Sequence, residues 1–181
     1  YRVLFEKLER LDIGYFFYIG GNDSMDTVSK LSRYAAHHGS DIRFIGIPKT
    51  IDNDLVLTDH TPGYGSAAKY VAASVREIAL DASVYQQKAV TIVELMGRHA
   101  GWLTAASALA RKEAGDNPLL IYLPEAPFEL AQFNDDLKKA FEKTANVIVC
   151  VSEGIRDHGG RFICEYSTEA QVDTFGHKML A

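Results

Sequence analysis

The sequence predicts an α/β fold built on a mostly parallel sheet, and three observations carry that prediction. Apolar runs of strand length alternate with segments whose apolar residues recur at three- and four-residue spacing, the order expected of parallel strands joined by helices. Glycines and prolines punctuate the joins. The composition is that of an ordinary globular domain, with 181 residues, 47% hydrophobic and 24% charged, enough for one core or the larger part of two.

Taken in order, Val3, Leu4, Phe5, Leu8 and Leu11 open the chain on a helical period. Residues 14–19 (GYFFYI) read as a strand, and after Gly20-Gly21 a helix is expected over about 24–37, stopped by Gly39. A strand over 42–47 closes at Pro48, and an irregular loop runs through Pro62-Gly63. A long helix over about 65–85 places Ala67, Val71, Val75, Ile78 and Ala82 on one face, as packing on a sheet requires. Then come a strand over 89–95, a helix over 99–113 and a strand over 119–123 ended by Pro124. Leu130, Phe133, Leu137 and Phe141 mark a further amphipathic helix, 147–152 a strand, Gly159-Gly160 a turn, and 169–180 a last helix. The turn formers Gly115-Asp116-Asn117-Pro118 suggest a domain boundary, dividing residues 1–115 from 116–181.

The net charge is −5 with Lys and Arg scattered, so no basic run calls for nucleic acid or an anionic membrane as partner. The apolar runs fall far short of the roughly 20 residues a membrane span needs, and no export signal opens the chain. A cytoplasmic location is the expectation. The two cysteines form no metal-spaced pair, and Cys150, inside an apolar run, reads as a reduced core thiol. Because the chain starts at Tyr1 inside a periodic segment and stops at Ala181 in mid-pattern, a piece of a longer subunit is expected.

In an open α/β sheet, ligands bind at the carboxyl ends of the strands, and four polar clusters fall at such places. Gly20-Gly21-Asn22-Asp23-Ser24 joins a strand to a helix. It suits an anion held by backbone N–H groups, or else Asp23 or Ser24 simply caps the helix. Pro48-Lys49-Thr50-Ile51-Asp52-Asn53-Asp54 sets two carboxylates beside a lysine and a hydroxyl. That combination suits a base facing an anionic substrate, although Asp-Asn-Asp is also good turn material. Met96-Gly97-Arg98 offers a guanidinium for bidentate phosphate binding, while His99 and Trp102 read as packing residues. Ser152-Glu153-Gly154 supplies a carboxylate able to accept from sugar hydroxyls, or a plain turn residue.

In this order the four clusters resemble the phosphofructokinase family, with its Gly-Gly-Asp-type loop, Thr-Ile-Asp-Asn-Asp loop, Met-Gly-Arg and strand-terminal Glu. The segment Thr58-Asp59-His60-Thr61-Pro62-Gly63-Tyr64-Gly65-Ser66-Ala67, the pair Pro124-Glu125 and Phe175-Gly176-His177 are also similar to it. The resemblance implies a three-layer Rossmann-like fold, incomplete here at both ends, with a donor-side part in 1–115 and a sugar-phosphate part in 116–181. It also implies transfer of a phosphoryl group to the 1-hydroxyl of fructose 6-phosphate with Mg2+, by positioning and charge neutralisation.

By the same resemblance, Asp52 is the base, Asp54 supports it near the metal, and Thr50 and Ile51 contact the transferring group or the sugar. Met96, Gly97, Arg98 and Glu153 hold fructose 6-phosphate, and Gly20, Gly21, Asp23, Ser24 and Lys49 line the donor. ATP-using members carry glycine where this chain has Asp23 and Lys49, and that pair resembles the pyrophosphate-dependent branch. A carboxylate fills and charges the space a nucleotide would need, while a lysine suits a compact, highly charged donor. Asn22 stands where many members have a metal-binding Asp, offering oxygen without charge. A homo-oligomer, dimer or tetramer, is implied for the full-length protein, and little turnover for this piece alone. An ATP-dependent kinase and a non-catalytic regulatory subunit of the same fold are the competing readings.

Overall fold

In the computed structural model the described residues are 1–166, 171–172 and 178–179. The chain divides into two compact units, Tyr1–Thr50 and Ile51–Ala181.

The first unit is a two-stranded parallel sheet covered by two helices. Helix α1 (Arg2–Arg10) forms because Phe5 and Leu8 recur on one face, and that face is buried. Strand β1 (Tyr15–Gly20) leads into α2 (Asn22–His38), which ends where Gly39 turns left-handed at φ 63°. Strand β2 (Arg43–Pro48) then pairs with β1 in parallel. The core gathers Phe5, Leu8, Leu31, Ala35 and Ile42, with Phe16, Tyr34 and Phe44 packed against them. Helix α2 begins two residues before the expected start, since Gly21 occupies the N-cap.

The second unit has three layers. Helix α3 (Tyr64–Ala82) precedes strand β3 (Ala89–Leu95). A short helix α4 (Trp102–Ala106) runs into a tighter turn of helix (Ser107–Ala110), followed by strand β4 (Leu120–Tyr122). Helix α5 (Leu130–Phe141) and strand β5 (Asn146–Ser152) complete the layers. The sheet order is β3-β5-β4, all parallel, so residues from both sides of position 115 share one sheet. Central β5 is apolar almost throughout because it is covered on both faces. Ile148 and Cys150 meet Val71 and Val75 of α3, whereas Val147 and Val149 meet Ala140, Phe133 and Leu137 of α5. The alternation along one strand, with a helix on each face, is what makes three layers.

Three expected helices change. The helix expected over 65–85 stops at Ala82, where the Ser83 hydroxyl donates to the Leu80 carbonyl at 2.7 Å. The helix expected over 99–113 shrinks to α4 and its tight turn. There the Ser107 hydroxyl donates to the Thr104 carbonyl at 2.6 Å, Arg111 Nε reaches the Pro118 carbonyl at 2.7 Å, and Asp116 accepts the Lys112 and Glu113 amides. Such side-chain bonds compete with helix continuation. The helix expected over 169–180 gives way, in its described residues, to an antiparallel pair, β6 (Gln171–Val172) and β7 (Lys178–Met179). Local helix propensity is a weak signal, and cross-strand pairing overrides it. The rest of that span, with Phe175-Gly176-His177, lies outside the described residues. Among the described residues no helix is long and apolar enough to cross a membrane.

Candidate active site

In the first unit the parallel pairing sets Gly20 opposite Pro48, so both strands deliver their loops at the same edge. The Lys49 amide donates to the Gly20 carbonyl at 2.9 Å, carrying the ladder one residue into the loop. Asn22, Asp23 and Ser24 form the first turn of α2, where backbone N–H groups lack intrahelical acceptors. Neither Asp23 nor Ser24 is the cap, and no side chain makes a cap hydrogen bond there. Asp23 still places a carboxylate at the positive end of the helix, and the Ser24 side chain lies over Gly20. Lys49 thus shares this edge with Gly20, Gly21, Asn22, Asp23 and Ser24, and Thr50 closes the unit.

In the second unit the ends of β3 and β5 are adjacent, Leu95 opposite Ser152. The loops that follow are tied together by three hydrogen bonds, and a fourth braces the β5 loop itself. The Glu153 amide donates to the Leu95 carbonyl at 2.9 Å, and the Gly97 amide to Glu153 Oε1 at 3.2 Å. The Ser152 hydroxyl donates to the Gly97 carbonyl at 2.7 Å and accepts from the Gly154 amide at 3.0 Å. The second oxygen of Glu153 lies 3.7 Å from the Arg98 guanidinium. Gly97 adopts φ 116°, a backbone state that side chains rarely enter. The pairing of Met96-Gly97-Arg98 with Glu153 is thus built by strand adjacency, and Arg98 keeps more than half of its side chain open to solvent.

The Ile51-Asp52-Asn53-Asp54 segment is organised by the chain just beyond it. Asn53 is buried and accepts the Thr61 amide at 2.8 Å. Asp54 Oδ1 is buried with no hydrogen-bond partner. Further along, Tyr64 meets Trp102 edge-on, ring centroids 6.3 Å apart. That contact links the start of α3 to α4, just past the Met96-Gly97-Arg98 loop. His99 Nδ1 accepts from the Arg156 guanidinium at 2.8 Å, and that guanidinium lies 4.2 Å over the Phe162 ring. At the end of β4, Glu125 accepts the Gly101 amide at 2.7 Å, stapling the entry to α4.

Asn53, Thr61 and Ser152 stand inside segments the sequence singles out but carry no role of their own there, and Arg156 is not singled out. A role for Ser152 could have been found, since a hydroxyl ending a strand two residues before a glycine is a natural loop tie. The eight-residue reach from Asn53 to Thr61 has no periodic signature. Among the described residues no group of three or more His, Cys, Asp or Glu is placed to hold a metal. The buried, unpartnered Asp54 oxygen is nonetheless the kind of ligand a hard cation takes, and Mg2+ completes its shell with water and substrate phosphates.

The family profile described as phosphofructokinase matches residues 1–180. A pyrophosphate--fructose 6-phosphate 1-phosphotransferase from Rhodospirillum rubrum is 48% identical over 98% of this chain and 44% of its own length. A sulfofructose kinase from Alkalicoccus urumqiensis is 40% identical over 76% of this chain and 36% of its own length. The crystal structure of a pyrophosphate-dependent phosphofructokinase from Marinobacter aquaeolei superposes with a TM-score of 0.74 at 44% identity, covering 85% of this chain and 40% of that one. The chain therefore spans less than half the length of the relatives it matches.

Proposed function

Because the chain belongs to the phosphofructokinase family, we propose that it forms part of an enzyme moving a phosphoryl group from pyrophosphate to the 1-hydroxyl of fructose 6-phosphate, giving fructose 1,6-bisphosphate. The observation that carries this reading is the tying of Met96-Gly97-Arg98 to Glu153 across the ends of β3 and β5, which sets a guanidinium and a carboxylate at one rim. The name of the Rhodospirillum relative supports it.

In this reading Asp52 accepts the proton of the sugar 1-hydroxyl as its oxygen attacks phosphorus. Arg98 neutralises the sugar phosphate, Glu153 accepts from sugar hydroxyls while bracing the Gly97 amide, and Met96 and Gly97 shape that subsite. Thr50 and Ile51 line the transferring group. Gly20, Gly21 and Ser24 present backbone N–H groups to the donor, and Lys49 neutralises it. Asp23 occupies space a nucleotide would need. Mg2+ would be held by Asp54 and phosphate oxygens and would supply charge stabilisation to the transferring group. A cytoplasmic location and a homo-oligomer of the full-length protein belong to the same proposal.

The deciding assay uses the full-length protein with Mg2+, fructose 6-phosphate and either pyrophosphate or ATP, beside an Asp52→Asn control. Turnover with pyrophosphate alone, lost in the control, supports both donor and base. Turnover with ATP alone overturns the role given to Asp23 and Lys49, and none with either donor favours a regulatory subunit. Sulfofructose, the acceptor in the name of the Alkalicoccus relative, is the second acceptor to assay.

A further inference from the structure

Asn53 stands between Asp52 and Asp54, and its backbone lies in the left-handed region at φ 59°. Among residues with a side chain, asparagine enters that region at the least cost. The side chain turns into the protein, 6% exposed. Its Oδ1 accepts the Thr61 amide at 2.8 Å and the Thr61 hydroxyl at 3.3 Å, and its Nδ2 donates to the Asp59 carbonyl at 3.2 Å. Thr61 is itself fully buried. The amide therefore has partners on both of its ends, all on one neighbouring segment.

A turn residue needed only for its backbone would be served as well by glycine, with its side chain left to solvent. Here the side chain is buried and bonded, so the backbone from which both carboxylates project is fixed from within. The neighbouring Asp54 has a buried oxygen with no hydrogen-bond partner. Holding such an oxygen in place demands a backbone that does not relax toward water.

We propose that Asn53 is a positioning residue for phosphoryl transfer: its amide locks the Asp52-Asn53-Asp54 turn onto Thr61 and Asp59, and so sets the approach of Asp52 to the sugar hydroxyl. The inference rests on the reading of Asp52 as the base. Asn53 acts through Asp52 and not on substrate, so its loss falls on the rate of the chemical step and spares ground-state binding.

The test is made in the full-length protein with pyrophosphate, Mg2+ and fructose 6-phosphate, comparing Asn53→Gly, Thr61→Val and Thr61→Ser with Asp52→Asn. Asn53→Gly keeps the left-handed backbone and removes all three bonds. Its kcat is expected to fall about 100-fold, with KM for fructose 6-phosphate changed by less than about threefold. Thr61→Val removes only the hydroxyl bond and should show the same split with a smaller fall, and Thr61→Ser, which restores the hydroxyl, should return kcat to wild type. Wild-type kcat in Asn53→Gly, with Asp52→Asn inactive, overturns the positioning role and leaves the base assignment standing. Should Asn53→Gly not fold, Thr61→Val decides: an unchanged kcat overturns the proposal, and a kcat loss at constant KM supports it. An inactive wild type, with Asp52→Asn no different, instead overturns the functional reading itself and this inference with it.

Discussion

Gly154 lies so close to Arg98 that an added Cβ would overlap the Arg98 carbonyl oxygen. This approach lets the loop after β5 pass under the loop after β3, where Glu153 meets Gly97. Gly154→Ala should push the Met96-Gly97-Arg98 loop outward and cost about 1–3 kcal/mol, the range for overpacking. Urea unfolding of the variant reads the cost, and the KM for fructose 6-phosphate should rise with it. An unchanged midpoint and KM would mean the two loops do not share this contact in solution.

The Glu153 carboxylate divides its oxygens between the Gly97 amide and the Arg98 guanidinium. The ion pair is long and open to solvent on the arginine side, so its contribution to stability is about 0–1 kcal/mol. Loss of Glu153 should therefore be felt in binding more than in stability. Glu153→Ala is expected to raise the KM for fructose 6-phosphate by about 3- to 10-fold, the worth of a lost hydrogen bond. Glu153→Gln keeps an oxygen for Gly97 and should be milder. A Gln variant as impaired as the Ala variant would show that charge, and not bracing of the loop, is what matters.

These loops could be located from sequence because strand ends are easy to find in a parallel sheet. The run ending at Leu95 was placed at its observed limits, residues 89–95, and the run ending at Ser152 within one residue. Once both strands are parallel neighbours, the loops that carry Arg98 and Glu153 start side by side. Where tertiary bonds overrule local pattern, the sequence reading failed. The helix expected past Ala110 yields to Arg111 and Asp116, whose bonds turn the chain. The Asn53 anchor escaped notice because Asp-Asn-Asp reads equally well as a solvated turn, and only burial of the amide separates the two cases.

The donor assignment rests on Asp23 and Lys49, which the pairing of Gly20 with Pro48 brings to one edge of the first unit. Replacing both with glycine in the full-length protein should weaken pyrophosphate, raising its KM about tenfold or more through loss of a charge-assisted bond. ATP turnover should rise at the same time, because in the proposed reading Asp23 is what excludes the nucleotide. Steady-state kinetics with each donor checks both halves. A variant that loses pyrophosphate without gaining ATP would leave Lys49 as a donor ligand but remove Asp23 as the discriminator.

Cys150 and Cys164 are both thiols, the first fully buried between α3 and the sheet, the second half-buried. Burial pushes the Cys150 thiol up, against a smaller opposing effect of its hydrogen bond with Ser107. A group whose folded pKa is raised adds stability that is complete below its unfolded value, here the ordinary thiol value of 9.0, and is lost as pH climbs through the folded one. The stability difference between wild type and Cys150→Ala should therefore be constant below pH 9.0 and narrow in more alkaline solution, as read by urea midpoints across that range. Alkylation under native conditions should mark Cys164 well before Cys150, since a protonated, enclosed thiol is a poor nucleophile. Equal labelling of the two in the folded protein would mean the layer around Ile148 opens on the timescale of the reaction.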